Sequence, residues 1–587
     1  MKTFLLSFLG GLAALIVFFV LIPIVLLLSF LPSGEPTPVR SAVLEVDLRE
    51  SLPDQPASDS VSALFSQMSF VQVLLRLNAA AEDPNVKGVF LRAAESDMGS
   101  SRAEELREAI LRLKAKDKFV IAHSQGFLAS GPAAYRAISA ADEIWLQPGT
   151  SFETPGITFE TLFMGGALEK LHVTADMEQF YEYKNAVDTY KGKAYSAPHA
   201  EAMTALAESV WSLSIADIAA DRKTDAVALR TVLEDSPYSA EKALELKLVD
   251  KLGWPEEAAD AAKARANKGE LIEIADYSPP QRNGKAVIAV VGGEGDIVTG
   301  GGGGGDILGV GSPVFASDRV AKELLDLVDD KSVDAVVFRV DSGGGSATAS
   351  DQIWRAVERL QESGKKVVVS MGSVAASGGY YVATGADAIV STRSTITGSI
   401  GVFGGKFAIA DGLRQLGINP DEVRVGGEFA SAYSTEKLTN LQRVKLHESL
   451  ENVYQRFTSL VAEGRKLPIE RVREIAKGRI WSGETAKEIG LVDETGDLID
   501  AINKAKVLAG FKAEDRATIR LKLHEASPLD LLTGALSSTH ISSGEKHALE
   551  MLAPVVGRKR AEALVGQIRQ FSGQPGAHVW SPPVIEH

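Results

Sequence analysis

Apolar residues run almost unbroken from Phe4 to Leu31, interrupted only by Ser7, Gly10, Gly11, Pro23 and Ser29, and no charge falls within the run. That length suffices to cross about 30 Å of hydrocarbon. It also exceeds the apolar core of about 7 to 15 residues of a cleavable signal peptide, so an uncleaved membrane anchor is expected. Lys2 precedes the run, and Glu35, Glu45 and Asp47 follow it. The positive-inside rule then leaves the short N-terminus in the cytoplasm and the chain after residue 33 on the far side. No later stretch is long and apolar enough for a second span.

Beyond the Pro-rich linker LPSGEPTP (31–38) the pattern changes to short apolar runs alternating with helical periodicity. SAVLEVDL (41–48) predicts a strand, 61–81 a helix, VKGVFLRA (86–93) a buried strand, AEELREAILRLKAK (103–116) a helix and FVIAHS (119–124) another strand. This alternation is the signature of parallel β-α-β units. The same order then returns. An offset of 247 lays Val86 on Val333, Ala109 on Ala356, Leu113 on Leu360 and Ser130 on Ser377. Farther on, YSAEKALELKLVDKLG (238–253) lies over WSGETAKEIGLVDETG (481–496) at an offset of 243. The expected architecture is α/β, two tandem repeats from an internal duplication: anchor and linker over 1–38, repeats over 39–280 and 281–510, and a tail over 511–587 with no repeat partner. The helical stretches 200–221 and 436–463 read as packing or oligomer surfaces.

Composition narrows the function. At 587 residues, 45% of them hydrophobic, the chain is a folded protein of several domains. Its net charge of −15 argues against a nucleic-acid partner. The absence of cysteine excludes disulfides, thiolate metal sites and a cysteine nucleophile. The glycine run Gly300–Gly305 lacks the Gly-Lys-Ser/Thr ending of a phosphate loop and reads as a flexible connection, and no cofactor or metal is expected.

Comparing the two halves isolates the chemistry. KKVVVSMGSVAASGGYYVATGADAIV (365–390) predicts a strand from Lys366 to Met371 and a helix starting near Ser377. The serine hydroxyl then sits among free backbone N–H groups, either as an N-cap or as a nucleophile. Gly378 and Gly379 leave room there for a substrate carbonyl. The first half reads LASGPAAY, with Pro132, which has no N–H, replacing the second glycine. The second half carries glycines at 343–345 after a strand, and the first half does not. Conversely, MEQFYEYKNAVDTYKG carries Lys184 where VGGEFASAYSTEK places Ala430 or Ser431. Neither half is complete alone.

A serine needs a base. None of the nine histidines lies between Ser377 and His447, so a histidine triad would require distant contacts. A desolvated lysine can serve instead; Lys184 is the choice, with Lys191 and Lys193 as rivals. Backbone donors for an oxyanion are expected at Gly378 and Gly344.

AASGGYY, the D-S-G-G-G-S loop, STITGSIGVFGG (394–405), YEYKNAVD and the two LVD segments resemble the long, tandem form of bacterial signal peptide peptidase A, or protease IV. The resemblance covers roughly 40–510 and the anchor. It implies a Clp-protease/crotonase fold, with Ser377 as nucleophile, Lys184 as general base, and Ser399 helping to orient the lysine. It further implies hydrolysis of signal-peptide remnants and other hydrophobic peptides by a homotetramer on the bacterial inner membrane, its body in the periplasm. Asp341 and Gly343 depart from the family's usual N-S-P-G-G-S loop, which bears on the second oxyanion donor. Tyr380, Val374 and Phe403 are candidates for an apolar substrate pocket. Two rival classes are an acyl-CoA enzyme of the crotonase type and a non-catalytic membrane scaffold.

Overall fold

The computed structural model describes residues 41–56, 68–95, 98–128, 131–280, 283–301, 314–522, 577–580 and 585–586. The expected anchor and linker, Ser130, and Gly302–Gly305 lie outside these residues. Among the described residues no helix is long and apolar enough to cross a membrane.

In the first repeat the strands are β1 (Ala42–Asp47), β2 (Val86–Arg92), β3 (Phe119–Ser124), β4 (Glu143–Leu146), β5 (Lys251–Leu252) and β6 (Glu270–Glu273). They form one sheet in the order β6-β1-β2-β3-β4-β5, every pair parallel. In the second repeat they are β7 (Ala286–Glu294), β8 (Ala335–Ser342), β9 (Lys366–Ala376), β10 (Ala388–Ser391), β11 (Glu494–Thr495) and β12 (Ala517–Leu521). These pair, again all parallel, in the matching order β12-β7-β8-β9-β10-β11. A parallel sheet is covered on both faces, so its central strands are buried throughout. Accordingly all eight residues of β8 are buried.

The pairing corrects one expectation. Residues 517–521 do have a repeat partner: β12 adds to β7 as β6 adds to β1, 247 residues earlier. All five residues of β12 are only half-buried, so this edge strand has no apolar run that would mark it in the sequence.

Alternate residues of each strand face different cores. In β8, Val337 joins the core shared by both repeats, while Val336 and Phe338 join the core of the second alone. The shared core holds Leu44, Leu91 and Val120 of the first sheet, Val337, Val368 and Val390 of the second, and the helices Phe70–Glu82, Ser100–Lys114 and Leu498–Leu508 between them. The outer face of the first sheet is covered by the helix Pro255–Arg265. That of the second is covered by the helices Ser317–Leu325, Ala347–Glu362 and Asn440–Arg465. Each helix in the shared layer thus has its equivalent on an outer face of the other repeat, Phe70–Glu82 and Ser100–Lys114 in Ser317–Leu325 and Ala347–Glu362, and Leu498–Leu508 in Pro255–Arg265, so the repeats stack front to back.

A second kind of contact joins the repeats. Thr174–Gln179 of the first runs antiparallel to Phe403–Ala408 of the second, from Gln179 opposite Phe403 to Thr174 opposite Ala408. This pairing carries the chain beyond residue 179 of the first repeat onto the C-terminal end of β9.

Candidate active site

β9 ends at Ala376, and Ser377 follows with φ 54° and ψ −113°, a conformation that a side-chain-bearing residue adopts only under strain. Its N–H donates to the Gly398 carbonyl at 2.8 Å, and its carbonyl accepts from Tyr381 at 2.8 Å. A single helical turn, Gly378–Tyr381, follows, and the serine side chain makes no cap bond to it. The N-cap reading of Ser377 is therefore overturned: strain at φ turns the hydroxyl away from the helix.

What that hydroxyl meets is Lys184, whose Nζ lies 2.7 Å from Ser377 Oγ within the same chain. The amine is also 3.0 Å from the Ser399 carbonyl oxygen and 3.0 Å from Ser399 Oγ. All three residues are buried, Lys184 and Ser377 completely. Burial pushes the Lys184 amine well below the ordinary lysine range. A neutral amine has two N–H donors and one lone pair. The Ser399 carbonyl can only accept, so it takes one N–H; Ser399 Oγ can take the other, and the lone pair then faces the Ser377 O–H. That arrangement can accept a proton from a serine attacking a carbonyl.

The lysine is held largely by the other repeat. A side chain at Gly478 would lie 2.5 Å from Lys184 N, and one at Gly401 would lie 3.2 Å from its Cδ. Gly478 also has φ +84°. Tyr183 N–H donates to the Lys477 carbonyl, and Ser399 N–H to the Arg479 carbonyl at 2.7 Å. The Arg479 guanidinium lies over the rings of Tyr183 and Trp481 and bonds Glu201, which also accepts from the Tyr183 hydroxyl. Sequence comparison missed 477–479 because the segment supports the site largely through the main-chain carbonyls of Lys477 and Arg479 and through the absence of a side chain at Gly478.

The rival lysines lie elsewhere. Lys191 donates to the Met177 carbonyl, and Lys193 pairs with Glu169 at the surface. The second repeat's counterpart of the Lys184 segment is a short 3₁₀ turn, Glu428–Ser431, with Ala430 exposed and Ser431 half-buried.

The expected oxyanion donors differ from each other. Gly378 opens its helical turn, so its N–H has no intrahelical carbonyl. The Gly344 N–H instead donates to Ser342 Oγ at 3.1 Å, a bond that must open before the group can serve a substrate. Gly379 is needed for packing: a Cβ there would lie 2.4 Å from the Ser342 carbonyl oxygen. Asp341 is buried, accepts the Val374 N–H at 2.9 Å, and faces Arg102 of the first repeat at 3.6 Å. Among the pocket candidates, Tyr380 is a core residue bonded to the Leu491 carbonyl, and Phe403 is buried with Met177, Val187 and Tyr190. Val374 is half-buried and packs on the same cluster as Ile157, Phe159 and Tyr183 of the first repeat.

A family model described as Peptidase family S49 matches residues 112–268 and 359–512. The chain belongs to that family. Serine protease SPPA, chloroplastic, of Arabidopsis thaliana is 30% identical over 513 residues, covering 85% of this chain and 74% of the relative. Protease 4 of Haemophilus influenzae is 31% identical over 511 residues, covering 84% and 80%. Of the solved structures, a mutant of the 1510-N membrane-bound stomatin-specific protease aligns at 14% identity over 41% of this chain and 99% of its own, with a TM-score of 0.25. As an S49 peptidase the protein is a serine protease, and the readings as an acyl-CoA enzyme or an inert scaffold give way. Of the two S49 segments, the first contains Lys184 and the second Ser377, Gly378 and Ser399, while Gly344 lies between them.

Proposed function

We propose that this serine protease uses a Ser377–Lys184 dyad, assembled from both repeats of one chain, to degrade cleaved signal peptides and other hydrophobic peptides at a membrane. The observation that carries the reading is the completely buried lysine amine 2.7 Å from the serine hydroxyl, its pKa pushed well below the ordinary lysine range by burial. Lys184 takes the proton as Ser377 Oγ attacks the scissile carbonyl, and it returns that proton to the leaving amine. The lysine then deprotonates the water that hydrolyses the acyl-enzyme. Ser399 orients the amine, and the backbone N–H of Gly378, joined by Gly344 once freed from Ser342, stabilises the oxyanion. The apolar run at 4–31 anchors the body on the periplasmic side of a bacterial inner membrane, which holds the dyad near substrates that lie in the bilayer. An acylating inhibitor is expected to add covalently to Ser377, as read by mass spectrometry of the modified peptide. Labelling at another serine, with Ser377 unmodified, would sink the reading.

We also infer a homotetramer. Front-to-back stacking leaves the two outer faces of the chain unlike each other, so a contact between one face and the opposite face of the next chain is heterologous, and it forms a ring where its rotation closes. Apolar side chains stand free at the surface of the second repeat, with Leu416 76%, Val423 98% and Val425 90% exposed. Joint substitution Val423→Glu and Val425→Glu is expected to lower the mass measured by light scattering from four chains to fewer. A native protein with the mass of one chain would overturn the inference.

A further inference from the structure

The C-terminal segment beyond residue 512 lies outside both S49 matches, yet it returns to the site. Ala577–Trp580 forms a strand antiparallel to Gly344–Ser346 on one side, with Gly344 opposite Trp580, Gly345 opposite Val579 and Ser346 opposite His578. On its other side it is antiparallel to Phe403–Gly404, with Phe403 opposite His578 and Gly404 opposite Ala577. The six-stranded sheet so formed runs 314–316, 296–298, 344–346, 577–580, 403–408, 174–179. The tail is thus the strand that joins two edges which otherwise face each other across a slot.

That slot borders the dyad. One edge begins at Gly344, two residues beyond Ser342, whose carbonyl packs against Gly379 next to the Ser377 turn. The other begins four residues after Ser399, whose carbonyl and hydroxyl hold the lysine. Two facing edges about 10 Å apart accept one extended peptide through main-chain hydrogen bonds, with little dependence on its side chains. A peptide substrate needs the same edges. Farther on, Ile585–Glu586 pairs antiparallel with Phe159–Glu160, which lie 244 residues before Phe403–Gly404 in the first repeat. The tail therefore touches corresponding edges in both halves.

We propose that Ala577–Trp580 is a built-in competitor for the peptide cleft: it occupies the slot between Gly344–Ser346 and Phe403–Gly404 as an intramolecular strand, and substrate binds only when it leaves. The proposal rests on the dyad reading above, since that reading makes this slot the substrate's. A tethered segment meets its site at an effective concentration on the order of millimolar, so even a weak strand competes. Competition of this kind raises KM and leaves kcat unchanged.

The test compares the full-length chain with a chain ended at residue 576 and with full-length Val579→Pro, which removes an N–H and cannot sit within a paired strand. Both changes are expected to lower KM for a hydrophobic peptide reporter several-fold, up to about tenfold, at unchanged kcat. Both should speed acylation of Ser377 by the inhibitor to the same degree, and a synthetic peptide of residues 577–587 should inhibit the shortened chain competitively. Unchanged KM and labelling rate in both variants, or no inhibition by the peptide, overturns the proposal and leaves the dyad standing. If neither the parent nor the shortened chain cleaves peptide or labels at Ser377, the dyad reading fails and this inference falls with it. The point substitution keeps the test decisive should the shortened chain fail to fold.

Discussion

Replacing Ser377 or Lys184 by alanine is expected to lower kcat/KM on a hydrophobic peptide reporter by about three orders of magnitude or more, and replacing both to lower it little further. In the proposed dyad the two side chains act in one proton transfer, so removing either already removes the step. In the parent, kcat/KM should rise with pH along a one-proton limb, because only the neutral amine accepts a proton. Burial places the midpoint of that limb well below the 10.5 of an ordinary lysine. The same group leaves a mark on stability. The unfolded chain binds a proton at Lys184 below about pH 10.4, whereas the folded chain binds it only below its lowered value. Between those two pH values the unfolded state carries the extra proton, so stability rises with pH. Lys184→Met should remove that slope in a series of denaturant titrations, whatever its effect on stability at a single pH. Measurable cleavage by Ser377→Ala above background, or a slope in Lys184→Met unchanged from that of the parent, would contradict the assignment.

The parallel strands were legible because burial on both faces leaves apolar runs: FVIAHS coincides with β3, and VKGVFLRA contains β2. The helix at Ser100–Lys114 starts three residues before its expected start, since Ser100 and Ser101 are buried without being apolar. The serine and lysine were legible for a different reason, namely that each half had lost what the other kept. Their approach across the repeats was an inference from that division of labour, and the 2.7 Å contact is its geometric counterpart. What periodicity cannot carry is support by main-chain atoms. The clamp formed by 477–479, the bond from Gly344 to Ser342 and the half-buried strand β12 all depend on backbone donors and acceptors. The ion pairs between the repeats were equally hidden, because a charged residue inside a strand reads as solvent-facing until its partner is known. The tail strand at 577–580 has the same character: its place is defined by the edges on either side of it.

Arg339→Met is expected to destabilise the fold by about 3 to 5 kcal/mol at pH 8, among the largest effects of any single change outside the dyad. Arg339 lies on β8 of the second repeat and is completely buried, as are Asp54 and Glu105 of the first. Its guanidinium bonds Asp54 at 2.8 and 3.1 Å, Glu105 at 2.8 Å through two nitrogens, and Ser370 Oγ on β9 at 3.2 Å. It holds the Asp54 carboxyl below the usual carboxylate range, while burial pushes Glu105 up to about 7. Without the guanidinium Glu105 loses its buried ion-pair partner and Asp54 keeps only Arg102 as a counter-charge, so the protonated forms of both carboxyls are favoured. Groups with raised folded-state values stabilise below their unfolded values and lose that contribution as pH rises through the folded ones. The cost of Arg339→Met should therefore be greatest at pH 8 and shrink steadily toward pH 4. Lysine is a poor substitute, since one ammonium cannot present paired donors to two carboxylates. Adding Asp54→Leu and Glu105→Met to Arg339→Met should recover most of the stability, because the penalty lies in the unpaired charges. Cleavage need not return with it. β9 runs from Ser370 to the residue before Ser377, and Asp54 and Glu105 belong to the repeat that carries Lys184, so the triad also sets where the two repeats meet. A loss below about 1 kcal/mol at pH 8, or one that does not change with pH, would show that the triad does not carry the load assigned to it.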